Sequence, residues 1–72
     1  MTDLPQCSGK EVIRAFERLG YEKARQVGSH VFLKYPGRKS LSIPNNKNIG
    51  KGMLRTFIKD SGFSVEEFKD SL

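Results

Sequence analysis

GSHVFLKYPG, residues 28–37, places an apolar run between two glycine-containing turns. Gly28-Ser29 suits a two-residue hairpin loop, because a type II′ turn needs glycine at its first central position. Pro36-Gly37 suits a second turn, in which proline fixes one dihedral angle and glycine takes a positive one. Val31-Phe32-Leu33 is typical of a central strand. The segment therefore predicts a meander of short antiparallel strands.

The strands are expected to extend outward from this segment over about residues 22–44. Leu41 and Ile43 alternate with serines, which predicts a third strand with one buried and one exposed face. Pro44 is expected to end that strand. The polar residues 45–50 have the composition of a loop.

Helices are predicted on both sides of the strands. Ser8 and Glu11 have the spacing of a capping box, which predicts a helix that ends at Gly20. A second helix is expected over about residues 50–61, and Ser64 begins another capping box for a short last helix. This order predicts an α+β fold, α-β-β-β-α with a short extra C-terminal helix and a three-stranded antiparallel sheet.

Length and composition limit the classes of protein that fit. Seventy-two residues predict a single domain over residues 1–72, with no room for a cofactor domain. The one cysteine, Cys7, excludes an internal disulfide, and we interpret it as an incidental residue in an N-terminal segment that frays. No stretch approaches the roughly 20 apolar residues of a membrane span, so a cytoplasmic protein is expected.

The charges are unevenly distributed along the chain. No acidic residue occurs from Lys23 to Lys59, although this stretch is rich in lysine and arginine. Such a regional bias favours binding of a polyanion. The alternatives are a solvated basic surface or a face for an acidic protein. The aromatic residues at core spacing are expected to be buried: Phe16, Phe32, Phe57, Phe63 and Phe68. Tyr35 is the aromatic expected to be exposed enough to stack on a base.

His30 is the main candidate for chemistry. Histidine is the residue type suited to proton transfer near neutral pH, and the chain contains one. The basic stretch holds no Asp or Glu, so a metal site is not expected, and no cofactor is expected either. In RNA the ribose 2′-hydroxyl is a ready nucleophile, which a single histidine can deprotonate while nearby cations stabilise the phosphoryl charge. The alternative is a hydrogen-bonded structural histidine.

The ordered landmarks of the chain resemble a known family. Ser8-Gly9-Lys10-Glu11, Gly20-Tyr21, Gly28-Ser29-His30, Pro36-Gly37, Ile43-Pro44 and Gly50-Lys51-Gly52-Met53-Leu54-Arg55 follow one another as in the HicA family of toxin–antitoxin endoribonucleases. The resemblance extends from about residue 8 to residue 68. It implies a fold like that of double-stranded-RNA-binding domains. It also implies cleavage of messenger RNA, which slows translation and growth, and neutralisation by a HicB-type antitoxin. Together with the lack of a metal site in the basic stretch, this predicts metal-independent cleavage.

The family also implies roles for particular residues. Its Gly-Ser-His motif corresponds to His30 as the catalytic residue, with Gly28 and Ser29 as the turn that presents it. Many relatives place a second histidine shortly after the proline of the third strand, where this chain has Asn45-Asn46. That departure puts full activity in doubt, because Lys47 can replace a cation but not an acid that works at neutral pH.

Candidate phosphate contacts are chosen by proximity in sequence to His30. They are Lys34, Arg38, Lys39, Lys47 and Lys51. The partners expected are therefore RNA and the antitoxin, with no membrane and with no DNA except through the antitoxin complex. Two alternatives remain open: a non-catalytic RNA-binding module of the same fold, and a domain that binds an acidic protein.

Overall fold

A computed structural model of the protein describes residues 4–72. The elements in chain order are α1 (Gly9–Leu19), β1 (Glu22–Val27), β2 (His30–Lys34), β3 (Leu41–Pro44), α2 (Lys51–Ser61) and α3 (Val65–Asp70). The predicted α-β-β-β-α order with a short C-terminal helix is confirmed. The strands form one antiparallel sheet in the order β1-β2-β3, so β2 is central.

The predicted helix ends are confirmed by their capping contacts. The hydroxyl of Ser8 accepts a hydrogen bond from the Glu11 N–H at 3.2 Å, and the Glu11 carboxylate accepts one from the Ser8 N–H at 3.0 Å. Gly20 ends α1 with a φ of 117°, a left-handed conformation that glycine adopts without strain. Ser64 and Glu67 repeat the capping box at the start of α3.

Both predicted turns are present. Gly28 has a φ of 59°, as the first central residue of a type II′ turn requires, and connects β1 to β2. At the other end of β2, Gly37 has a φ of 81°, and the Arg38 N–H donates to the Tyr35 carbonyl at 3.0 Å. The sequence therefore predicted the two hairpin connections correctly.

The helices cover one face of the sheet. Val31 and Leu33 of β2 and Leu41 and Ile43 of β3 are buried on that face, where α1 and α2 pack on β3. The buried core is completed mainly by side chains of the helices: Val12, Ala15, Phe16, Leu54, Ile58 and Phe68. Strand β1 projects beyond the helices, and all of its residues are exposed. The opposite face of the sheet is open.

Cys7 does not lie in a fraying segment, and that prediction was wrong. The residue is 2% exposed and forms an isolated antiparallel bridge with Ile49, whose N–H donates to the Cys7 carbonyl at 2.7 Å. Burial raises the pKa of the Cys7 thiol, and the negative charge of Glu11 raises it further. Cys7 is therefore a core residue that is poorly suited to act as a nucleophile.

Two predictions about aromatic residues were also wrong. Phe32 is only partly buried and lies on the open face, because its neighbours Val31 and Leu33 take the inward positions. Tyr35 is not free, since its ring packs against Tyr21 at 5.3 Å between centroids. Of the other phenylalanines, Phe16 and Phe68 are fully buried, and Phe57 and Phe63 pack partly buried against the core.

Candidate functional site

His30 is exposed at the beginning of β2. Because side chains alternate along a strand and Val31 points into the core, the His30 imidazole projects from the open face of the sheet. Its cross-strand partners are Val27 of β1 and Pro44 of β3. Among the side-chain hydrogen bonds within residues 4–72, none involves the His30 ring. His30 is therefore exposed, and its ring makes no side-chain hydrogen bond within this part of the chain.

The turn before His30 is fixed by a contact with the far edge of the sheet. The Ser29 carbonyl accepts a hydrogen bond from the Asn45 N–H at 2.6 Å, which ties the β1–β2 turn to the loop after β3. A Cβ added at Gly28 would meet no atom within 4 Å, so the positive φ, and not lack of space, is the reason for glycine there. Gly28 and Ser29 thus hold the beginning of β2 in place by their backbone.

A second row of side chains lies next to His30 on the open face. Arg25, Phe32 and Ser42 are cross-strand partners on β1, β2 and β3. The guanidinium carbon of Arg25 lies 5.0 Å from the centre of the Phe32 ring, within the range of a cation–π contact. This pairing is not visible in the sequence, because an irregularity between Lys23 and Arg25 shifts the register of β1 and hides which of its residues face outward.

Lys34 lies on the same face in a third row. It is exposed and pairs across the strands with Glu22, so its charge is opposed by a nearby carboxylate. Lys34 is four positions after His30, or about 13 Å along the strand at the usual rise per residue. Lys34 is therefore on the same face as His30 but not next to it.

Arg38 and Lys39 are not brought to His30. Arg38 donates a hydrogen bond to the Ser61 carbonyl at 2.8 Å, and its guanidinium lies 4.0 Å from the centre of the Phe63 ring. The Lys39 ammonium lies 3.9 Å from a carboxylate oxygen of Asp60, with 73% of the lysine side chain exposed. Both follow the turn at the opposite end of β2, and Arg38 makes contacts that hold that end of the domain together.

Lys47 lies in the loop that follows β3, and β3 ends beside His30. Lys47 lines a depression of about 290 Å³ together with Ser8, Lys10, Asn45 and Asn46. The Gly9 N–H donates to the Asn46 carbonyl at 2.7 Å, and a Cβ at Gly9 would collide with the Pro44 carbonyl oxygen. Close packing of α1 against this loop therefore adds Lys10, which sequence proximity did not indicate.

Lys51 is the first residue of α2 and is exposed. Gly50 precedes it as an N-cap without a side-chain hydrogen bond. Within the described residues 4–72, no group of three or more His, Cys, Asp or Glu side chains is arranged to hold a metal ion. Over the same residues, no helix has both the length and the apolar composition to cross a membrane.

A comparison with family models identifies the class of protein to which this fold and sequence correspond. The model described as the HicA toxin of bacterial toxin–antitoxin systems matches residues 9–63, from the beginning of α1 to the residue after the α2 cap. Because the match covers most of the chain, the protein belongs to the HicA toxin family. No curated protein matches the chain. HicA toxins act in toxin–antitoxin systems, are generally ribonucleases and have an antitoxin partner.

Proposed function

We propose that this toxin is a metal-independent endoribonuclease that cleaves messenger RNA, with His30 as the general base or acid. The observation that carries the proposal is the exposed His30 ring on the open sheet face, with Arg25 and Lys34 on the same face. A phosphodiester chain can approach this face from solvent, because none of the helices formed by residues 4–72 covers it. Lys47, in the loop after β3, and Lys51, at the start of α2, are proposed as further phosphate contacts.

The proposed step uses a nucleophile that RNA itself provides. The imidazole of His30 takes the proton of a ribose 2′-hydroxyl, and the 2′ oxygen forms a bond to the adjacent phosphorus. The bond from phosphorus to the 5′ oxygen breaks, and that oxygen takes a proton from water or from the imidazolium. Cations on the surface stabilise the charge on the phosphoryl oxygens. The products carry a 2′,3′-cyclic phosphate and a 5′-hydroxyl.

Asn45 and Asn46 bear on how the leaving oxygen is protonated. Both are exposed beside the end of β3, where many relatives have a second histidine. An amide is not an acid at neutral pH, so the second proton transfer falls to water or to His30 itself. We therefore propose slower cleavage than in a two-histidine relative, with the same products.

The proposed partners follow from the same surface. A HicB-type antitoxin neutralises the toxin by covering the open face and the His30 ring, in the cytoplasm where messenger RNA is available. The second candidate function is a non-catalytic RNA-binding module. The net charge of +5 and the absence of acids between residues 23 and 59 favour RNA binding in either case.

The proposal is tested by incubating purified protein with labelled messenger RNA in the presence of a metal chelator. We expect cleavage by the wild type and a loss of about 10²- to 10⁴-fold in rate for His30→Ala, the usual contribution of a general acid or base. Lys59→Ala is the matched control, since Lys59 is an exposed cation on α2 outside the proposed site. RNA binding without cleavage by the wild type would favour the non-catalytic module, and full activity of His30→Ala would overturn the assignment.

A further inference from the structure

We propose that the Arg25–Phe32 pair on the open sheet face is a stacking site for a nucleobase of the single-stranded RNA that His30 cleaves. The inference takes its substrate from the proposed function and adds a binding subsite to it. Both residues lie in the row next to His30, on neighbouring strands. No element of the described chain covers them.

The position of Phe32 is the first observation that supports the site. The three outward residues of β2 are His30, Phe32 and Lys34, so an aromatic ring lies between the histidine and a lysine on one face. Phe32 is two positions after His30, or about 7 Å along the strand. This distance is short enough for one nucleotide to place its phosphate near the imidazole and a neighbouring base near the phenyl ring.

The contact between Arg25 and Phe32 is the second observation. The guanidinium lies 5.0 Å from the ring centre, so a cationic plane is held close to the aromatic ring. Single-stranded RNA is commonly bound by stacking its bases on aromatic rings or on arginine planes. Both kinds of surface meet at this point, and the arginine also attracts the phosphates on either side of the base.

The charged and polar side chains around the Arg25–Phe32 pair indicate which kind of ligand fits there. Across the three rows of the open face the cations are Arg25 and Lys34 and the one carboxylate is Glu22, which lies in the row farthest from His30. Ser42, the partner of Phe32 on β3, is exposed and adds a hydroxyl that can contact a base edge. A planar base linked to phosphates matches this combination of ring, cation and hydroxyl.

The site is tested by binding measured in the His30→Ala background, so that the RNA stays intact. The probe is a short single-stranded RNA carrying 2-aminopurine, whose anisotropy reports affinity and whose emission falls when the base stacks. We expect Phe32→Leu to weaken binding about tenfold and to abolish the fall in emission. Phe32→Tyr is expected to retain both, because it keeps an aromatic face.

The salt dependence separates stacking from phosphate neutralisation. Phe32→Leu removes no charge, so the slope of log K against log salt is expected to stay unchanged while the affinity falls. Arg25→Lys keeps the charge and loses the planar group, and it is expected to reduce the quenching at the same slope. Phe57→Leu, which removes a partly buried ring from α2, is the control and is expected to bind like its background.

Unchanged affinity and unchanged quenching in Phe32→Leu would overturn the inference and would show that Arg25 merely shields an exposed ring. If Phe32→Leu fails to fold, the affinity and the quenching of Arg25→Lys test the stacking site instead. The nuclease assignment is judged separately, from cleavage by the wild type. If the wild type cleaves RNA but no base stacks at Phe32, only the stacking inference is wrong. If a base stacks at Phe32 but the wild type never cleaves RNA, the proposed nuclease function is wrong.

Discussion

The two faces of the sheet differ in every property that matters for function, although the same strands build both. On the covered face, Val31 and Leu33 of β2 are buried under the helices. On the open face, His30, Phe32 and Lys34 alternate with them and remain wholly or partly exposed. Because side chains alternate along a strand, the buried core residues and the residues of the proposed site alternate within the five residues of β2. Mutations on the two faces should therefore have separable effects.

The largest effect on stability is expected from Leu33→Ala. Leu33 is fully buried, so its truncation leaves a cavity and should lower the free energy of unfolding by about 2–5 kcal/mol. Its neighbour Phe32, on the open face, is the comparison, and Phe32→Leu should cost less than about 1 kcal/mol. Denaturant melts of the two variants check this difference. Equal losses would show that the open face is part of the core.

A smaller effect is expected at the opposite end of β2 from His30. Arg38→Ala removes the hydrogen bond to the Ser61 carbonyl and the contact with the Phe63 ring, and it should lower stability by about 1–2 kcal/mol. RNA cleavage should be unchanged below the melting temperature. Lys39→Ala is the matched control, and its exposed pair with Asp60 should be worth less than about 1 kcal/mol. If a folded Arg38→Ala protein lost RNA binding, Arg38 would have to be counted again among the phosphate contacts.

Cys7 gives a prediction about chemical reactivity. Because burial raises the pKa of its thiol, Cys7 should react with a thiol reagent far more slowly in the native protein than in denaturant. Labelling followed by mass spectrometry measures both rates. Reaction of the native protein at the denatured rate would contradict the bridge between Cys7 and Ile49.

The smallest effect is a pH dependence at the beginning of α3. The hydrogen bond from the Ser64 backbone N–H lowers the pKa of the exposed Glu67 carboxyl, and the Ser64 side chain lowers it further. A carboxyl whose pKa is lower in the folded state stabilises the protein above its unfolded pKa, and this stability is lost as the pH falls through the folded pKa. The melting temperature of wild type relative to Glu67→Gln should therefore be constant near neutrality and decline in acid. A difference that grows in acid would contradict the capping geometry.

Much of the fold follows from local sequence signals. The capping residues Ser8 and Ser64 and the turn glycines Gly28 and Gly37 act through their own backbone, so they can be recognised without knowing the rest of the structure. Phe32 was misassigned because an apolar run does not reveal which of its members faces the helices. Only the alternation fixed by buried Val31 and Leu33 settles this point.

The candidate site was predictable only in part. His30 and its turn lie together in sequence, so motif and chemistry both identify them. Arg25 lies in the row next to His30 because of the register of β1, and Lys10 lies against the loop after β3 because α1 packs there. Neither placement is visible in a linear sequence. Arg38 and Lys39 are close to His30 in sequence but lie at the far end of a strand, where nearness along the chain does not mean nearness in space.

The most direct measurement replaces the nucleophile in the substrate. Once a cleavage position is mapped in a labelled RNA, the same RNA is made with a single 2′-deoxy nucleotide on the 5′ side of that bond. We predict that the wild-type protein no longer cuts this position and still cuts the others, because in the proposed mechanism His30 acts by removing the proton of the 2′-hydroxyl. Cleavage at the 2′-deoxy position at an unchanged rate would contradict the account.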